Sequence, residues 1–159
     1  MVSIEDIPGS RLADRDRLTA MAVQTSAYLL GHGWCRSIRR GFLERAVAGV
    51  LAVFYFEIEP DQADEAVWVI TGDIPPAYMD VESCSNGAEA LDAYLDCMDE
   101  WVQAVREGRP IEDLIPVGYA DTGRPIEPTP DAAAELAGRL AFIRDELVPW
   151  FREDRWERA

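Results

Sequence analysis

The sequence contains no lysine, so all fifteen of its basic residues are arginine. A GC-rich genome explains such a composition. The functional alternative is a preference for the bidentate contacts that arginine makes with carboxylates or phosphates. The absence of lysine alone does not decide between these two interpretations.

Cysteine is scarce, and long apolar runs are absent. The three cysteines form no paired framework, which favours a reducing compartment. The N-terminus carries Glu5 and Asp6 where a signal peptide requires positive charge. The longest apolar run, residues 47–56, has ten residues, whereas a membrane-spanning helix needs about 20. The sequence therefore predicts a cytoplasmic protein with no membrane contact.

Basic residues are missing from one long segment of the chain. Residues 46–105 hold thirteen acidic residues and no basic one, within a chain whose formal net charge is −15. Binding to a nucleic-acid backbone requires positive charge to displace counterions, so a nucleic-acid partner is not expected. Such a segment suits a basic protein partner, a cation or simple solubility.

The length of 159 residues favours a single domain, because domains cluster near about 100–150 residues. Periodicity and cap residues predict an N-terminal helix at about 10–30, a hairpin at about 50–72, a helix at about 87–107, a proline-rich connector at 108–130 and a C-terminal helix at about 130–148. The predicted fold class is α+β, with an antiparallel β-hairpin or small sheet packed against three or more helices. An isolated hairpin is unstable in water, so it needs covering helices, a further strand or a second subunit, which would make a homodimer.

Local signals set the expected ends of these elements. Ser10, Asn86 and Thr129 are expected to cap the three helices. Pro149 is expected to end or kink the last helix. Residues 37–47 fit either a helix or an irregular segment.

No stretch carries a recognisable catalytic or cofactor motif, so no catalytic residue and no cofactor is predicted. His32 is the single histidine, and it lies at a helix end, where an imidazole can bond the last helical carbonyls. His32 and Cys35 have His-x-x-Cys spacing, but Cys84 and Cys97 lie thirteen positions apart, unlike the paired cysteines of a zinc site. No metal is therefore predicted.

Three carboxylates belong to the predicted hairpin. Glu57 and Glu59 point to the same side of the first strand, because side chains alternate along a strand, and Asp73 directly follows the second. If the register brings them together, they could bind a divalent cation or act as an acid/base pair. Otherwise the glutamates face water and Asp73 makes a turn.

The middle helix carries a row of acids at i, i+3 and i+4 spacing. This row, called here the acidic ridge, consists of Glu89, Asp92, Asp96, Asp99 and Glu100. Like charges four residues apart cost roughly 0.2–0.5 kcal/mol for each pair. The ridge is interpreted as a surface for a basic partner, as a solvated face, or as an intramolecular docking site for a basic cluster made of Arg36, Arg39, Arg40 and Arg45.

The segment from Trp68 to Tyr78 reads Trp-Val-Ile-Thr-Gly-Asp-Ile-Pro-Pro-Ala-Tyr. With the apolar strand before it and the helix bearing Trp101 after it, it resembles a family of short, uncharacterised bacterial proteins (a domain of unknown function). In that family a Trp-rich strand ends in Gly-Asp-Leu/Ile-Pro with a tyrosine soon after. The resemblance covers residues 50–105, implies a bacterial α+β protein and transfers no catalytic residue.

Two functional hypotheses follow from the sequence. The first is a small acidic protein-binding domain, immunity-like or adaptor-like, that presents the acidic ridge to a basic partner. The second is a cation-binding protein or enzyme that uses Glu57, Glu59 and Asp73.

Overall fold

The computed structural model describes residues 1–60 and 65–153, and within them the chain forms one five-stranded antiparallel sheet whose strands follow sequence order. The strands are β1 (Val2–Ser3), β2 (Cys35–Val47), β3 (Leu51–Pro60), β4 (Ala66–Gly72) and β5 (Ala77–Asp80). The predicted α+β class is confirmed. Residues 61–64, which belong to the predicted turn between β3 and β4, lie outside the described residues.

Helices cover both faces of the sheet. They are α1 (Arg15–Leu30), α2 (Gly87–Glu107), α3 (Pro130–Phe142) and the short α4 (Val148–Arg152), with a 3-10 turn at Ile7–Gly9 and a π-helical turn at Ile143–Leu147. One core lies between the sheet and α1, and the other lies between the sheet and the remaining helices. No helix formed by the described residues is both long and apolar enough to cross a bilayer.

The central strands are apolar on both sides because each side faces a helix layer. Val53, Trp68 and Ile70 pack toward α2 and α3, whereas Phe54 and Val69 pack toward α1. All five are buried, and burial of each such side chain contributes roughly 1.5–3 kcal/mol. The further strands and the two helix layers supply the cover that the hairpin needs, so its stability does not require a second subunit.

The expectation for residues 37–47, a helix or an irregular segment, is wrong, because β2 runs through them. Three register irregularities interrupt its pairing with β3, between Cys35 and Ser37, between Ile38 and Arg40, and between Leu43 and Arg45. Each bulge shifts the alternation of inward and outward side chains by one residue. The period of two that identifies a strand is therefore broken three times within thirteen residues.

The first helix begins later than expected. The Ser10 hydroxyl donates to the Ile7 carbonyl at 2.7 Å and closes the 3-10 turn, so it does not cap α1. The chain then passes through Asp14 in a left-handed conformation (φ 55°) before α1 begins at Arg15. Ser10 therefore ends the 3-10 turn that precedes the helix and does not begin α1.

The last helix does not end before Pro149. It widens into the π-helical turn at Ile143–Leu147 and resumes as α4 up to Arg152. A proline in a regular α-helix clashes with the carbonyl four residues earlier. The wider turn changes that spacing, and Pro149 then occupies the first turn of α4, where its missing N–H costs little.

Candidate functional site

Helix α2 has one buried face and one acidic face. Asn86 caps it by accepting a hydrogen bond from the Glu89 N–H at 2.9 Å, and the Glu89 carboxylate accepts one from the Ser85 N–H at 2.7 Å. The apolar face includes Tyr94 and Trp101, which are both buried. The acidic ridge lies on the other side: Asp99 is half-buried, and the remaining four acids are exposed.

Arg144, in the π-helical turn, reaches across to the ridge. Its Nη2 lies 2.5 Å from Asp99 Oδ2 and 3.6 Å from Asp96 Oδ1. The hydrogen bond with Asp99 is the main cause that raises the pKa of Arg144, and the charges of Asp99, Asp96 and Asp92 add to it. One guanidinium therefore sits in the combined field of three ridge carboxylates, while Asp92 and Glu100 remain exposed.

Three of the four arginines of the basic cluster pair with acids outside the ridge. The cluster lies on β2, where Arg40 makes a bidentate pair with Glu57 at 2.8 and 2.9 Å, and Arg39 lies 3.5 Å from Glu59. Arg45 pairs with its neighbour Glu44. The interpretation of the ridge as an intramolecular docking site for this cluster is therefore wrong.

The hairpin register separates the three carboxylates of the second hypothesis. Glu57 pairs with Ala66, whereas Gly72, next to Asp73, pairs with Leu51 at the other end of the hairpin. At about 3.4 Å per residue this places Asp73 roughly 20 Å from Glu57. Asp73 instead faces Arg139 of α3, at 3.5 Å.

The separation of these carboxylates could have been found from the sequence. A loop at residues 60–65 makes Glu59 and Ala66 partners and so already puts Asp73 opposite Ala52, far from Glu57. In the structure the Asp73 N–H donates to the Val50 carbonyl at 3.0 Å. Within residues 1–60 and 65–153, no three His, Cys, Asp or Glu side chains converge as a metal site.

A concave surface, separate from the acidic ridge, lies where three segments that are distant in sequence meet. This surface, called here the aromatic cleft, has a volume of about 650 Å³. Its lining includes the last turns of α1, the residue before β5 and the connector, with Gln24, Tyr28, His32, Pro76, Tyr119 and Asp121. No local sequence pattern indicates this cleft, because residues 24–32 and 116–123 meet only in the folded chain.

His32 is held in place on several sides. Its Nδ1 lies 2.9 Å from the Tyr28 carbonyl oxygen, so Nδ1 donates, because a carbonyl only accepts. Its ring contacts those of Tyr28, Trp34 and Tyr78, at centroid distances of 4.8, 5.6 and 5.2 Å. The helix-end role predicted for His32 is confirmed. In the Nδ1–H tautomer of an imidazole, Nε2 is an acceptor.

The opposite wall is an ordered turn of the connector, residues 117–126, called here the connector turn. Backbone hydrogen bonds run from Tyr119 N–H to Arg124 O (3.0 Å), from Gly123 N–H to Tyr119 O (3.0 Å) and from Ile126 N–H to Val117 O (2.9 Å). These three hydrogen bonds fix the shape of the turn that carries Tyr119 and Asp121.

Comparison of the chain with protein-family models, with curated proteins and with solved structures finds no match. The resemblance of residues 50–105 to a bacterial family therefore stays a prediction.

The cysteines lack the environment of a nucleophile. Burial raises the pKa of the Cys35, Cys84 and Cys97 thiols, and nearby carboxylates raise it further for Cys84 and Cys97. A thiol is reactive as the thiolate, which lowered pKa values favour. The three thiols are therefore packing groups.

Two tyrosine hydroxyls lie where ionisation is disfavoured. Tyr94 donates to the Pro75 carbonyl at 2.6 Å, and the Tyr28 hydroxyl lies 3.5 Å from the Pro76 carbonyl. Burial, followed by the charge of Tyr78, raises the pKa of Tyr28 from 10.0 to about 12. Burial, followed by the charge of Tyr28, also raises the pKa of Tyr94.

The raised pKa values of Tyr28 and Tyr94 predict a loss of stability at alkaline pH. Above pH 10 the unfolded chain releases phenolic protons that the folded chain retains, so the free energy of unfolding falls as the pH rises from 10 to about 12. We expect Tyr28→Phe and Tyr94→Phe each to flatten this fall, measured as urea midpoints by circular dichroism. Because the chain has no lysine, no lysine ammonium groups titrate in this pH range. Tyr119→Phe, on an exposed side chain, is the control and should keep the wild-type slope; equal slopes in all four proteins would contradict the assignment.

Proposed function

We propose that this protein is a non-enzymatic binding protein of the cytoplasm that presents its acidic ridge to a basic protein partner. The observation that carries the proposal is the exposure of four of the five ridge acids, together with the pairing of Arg39 and Arg40 elsewhere, on β3. The free state of Cys35, Cys84 and Cys97 suits a reducing compartment.

The geometry of the ridge favours recognition of a matching basic surface. Its acids lie along one side of a helix of 21 residues, with a rise of about 1.5 Å per residue. The helix is fixed by its buried face, so the charges are held at set spacings before a partner arrives. Complementary charge speeds encounter and fixes the register of a complex, which is the physics used by acidic inhibitors of basic proteins.

Arg144 neutralises part of the charge of the acidic ridge. It engages Asp99 and Asp96 in the middle of the row and leaves Asp92 on one side and Glu100 on the other. A basic partner can pair with the two exposed ends without displacing Arg144. The pattern of negative, neutralised and negative segments is a specificity element, because a partner must place its own charges to match.

Reversing the ridge charges should abolish partner capture. We expect the triple variant Asp92→Arg, Asp96→Arg and Asp99→Arg to lose at least about tenfold in affinity, because each close charge pair in an interface contributes about 1.5 kcal/mol or more. The partner is first captured from host lysate on wild-type bait, eluted stepwise with salt and identified by mass spectrometry. Its affinity for each variant is then measured by calorimetry with the purified protein.

Two further variants make this test specific. The variant Asp92→Arg with Glu100→Arg spares both pairs of Arg144 and should still weaken binding. The control variant Glu112→Arg, Asp113→Arg and Glu127→Arg changes the net charge as much as the triple variant does, on exposed connector residues away from α2, and should bind as the wild type does. An equal loss of affinity in the control and ridge variants would show that only net charge matters and would overturn the proposal. Unchanged affinity of folded ridge variants would overturn it as well.

A further inference from the structure

We propose that the aromatic cleft is a binding site for a small organic cation, a flat or elongated molecule that ends in an ammonium or guanidinium group. Its volume of about 650 Å³ falls within the range of roughly 300–1,000 Å³ that is typical of ligand pockets. The site is distinct from the acidic ridge and does not depend on the function proposed for the ridge.

The charge of the cleft selects for a cation. Among the described residues that line it, the ionisable side chains other than tyrosines are His32 and Asp121. The Asp121 carboxylate accepts one local hydrogen bond, from the Thr122 N–H at 2.8 Å, and retains further acceptor capacity. The C-terminal end of α1, which forms one wall, adds the negative end of a helix dipole.

The aromatic rings of the cleft point to the same ligand chemistry. Tyr28 and Tyr119 belong to opposite walls, and the face of an aromatic ring attracts a cation. Tyr119 is 53% exposed, so its ring is accessible to a ligand. A ligand cation between the two walls would cover this ring, and Nε2 of His32 in its Nδ1–H tautomer can accept a hydrogen bond from the N–H groups of the ligand.

The site is formed before any ligand binds. The imidazole is fixed by its hydrogen bond to the Tyr28 carbonyl and by three ring contacts, and Trp34 and Tyr78 support it from behind at 4.9 Å from each other. The connector turn is closed by backbone hydrogen bonds. A preformed site loses little conformational entropy on binding, so a ligand of modest size can be held.

His32 supplies a site-specific probe, because it is the only histidine of the chain. Its ring C–H signals can be followed by NMR in an untagged protein without assignment of the other residues. At pH 8, tryptamine is the cation, tryptophol the neutral analogue and indole-3-acetate the anion, all with one indole body. We expect tryptamine to shift the His32 signals in a saturable way, tryptophol to bind at least about fivefold more weakly, and indole-3-acetate to cause no shift.

Variants on exposed positions test the assignment without threatening the fold. Asp121→Asn and Tyr119→Ala should each weaken tryptamine binding about fivefold, and the double variant by at least about tenfold. Asp113→Asn removes the same charge from the same connector outside the cleft and should bind as the wild type does. Failure of tryptamine to shift His32, equal binding of the three indoles, or equal binding by the Asp121 and Asp113 variants would each overturn the proposal.

One further arm separates two sources of the same chemistry. The capped peptide acetyl-Gly-Arg-Gly-amide carries a guanidinium on a polypeptide, as a protein partner would. Binding of tryptamine with weaker or no binding of the peptide supports a small-molecule site. Binding of the peptide alone would assign the cleft to an arginine of a protein partner and overturn the small-molecule proposal.

Discussion

Replacing Gly72 with alanine is expected to lower the free energy of unfolding by about 2–4 kcal/mol, a cost of backbone strain combined with a steric clash. Gly72 ends β4 with φ 143°, a conformation that L-residues rarely adopt, and an added Cβ would lie 2.1 Å from the Val50 carbonyl oxygen. That carbonyl cannot move away easily, because it accepts the Asp73 N–H and Gly72 is paired with Leu51. Chemical denaturation followed by far-ultraviolet circular dichroism measures the effect.

Gly138→Ala is the matched control for this substitution. Gly138 lies within α3, and a Cβ there would meet nothing within 4 Å. Alanine should therefore stabilise the protein by about 0.5–1 kcal/mol, because glycine is the poorer helix former. A Gly72 variant as stable as the wild type would show that the end of β4 tolerates a side chain against Val50, which would contradict the expected clash.

The elements predicted from the sequence are those whose signal is long and uninterrupted. Helix α2 carries an apolar stripe over 21 residues, with Asn86 before it and Gly108 in a left-handed conformation (φ 67°) after it. Strands β3 and β4 are apolar on both faces because two helix layers cover the sheet. In these segments the residue propensities, the hydrophobic periodicity and the capping residues all indicate the same element. Tertiary packing therefore does not change the structure that the sequence predicts.

The missed strands are short or irregular. β1 has two residues and β5 has four, too few for a period of two to be visible. β2 is long, but its bulges break the period, and its arginines resemble those of a surface helix. Its partner explains its composition: Arg40 lies opposite Glu57 across the ladder, so opposite charges pair on one face. That information belongs to the pair of strands and is not contained in β2 alone.

The two candidate sites differ in the same way. The acidic ridge could be predicted, because i, i+3 and i+4 spacing on one helix fixes the relative positions of its acids. The contact of Arg144 with Asp99 could not, because it depends on how α3 and the π-helical turn cross α2. The aromatic cleft joins residues about 90 positions apart in sequence, so no local pattern could indicate it.

Trp101→Ala is expected to lower the free energy of unfolding by about 3–5 kcal/mol. Its side chain is 2% exposed on the buried face of α2, opposite the ridge, and it lines a small cavity with Val117, Tyr119 and Leu136. Truncation would leave a void between α2, α3 and the connector turn. Since small domains are stable by about 5–15 kcal/mol in total, a large part of the native stability would be lost.

Phe142→Ala provides the control for Trp101, because Phe142 is also an aromatic residue on a helix but is 50% exposed. Its truncation should change the free energy of unfolding by less than about 1 kcal/mol. Both variants are compared with the wild type by chemical denaturation followed by circular dichroism, because removing Trp101 would change a fluorescence signal. If Trp101→Ala were as mild as Phe142→Ala, the buried face of α2 would not be what holds the helix. The acidic ridge would then lack the rigid support that fixed charge spacing requires, and the basis for a specific basic partner would be removed.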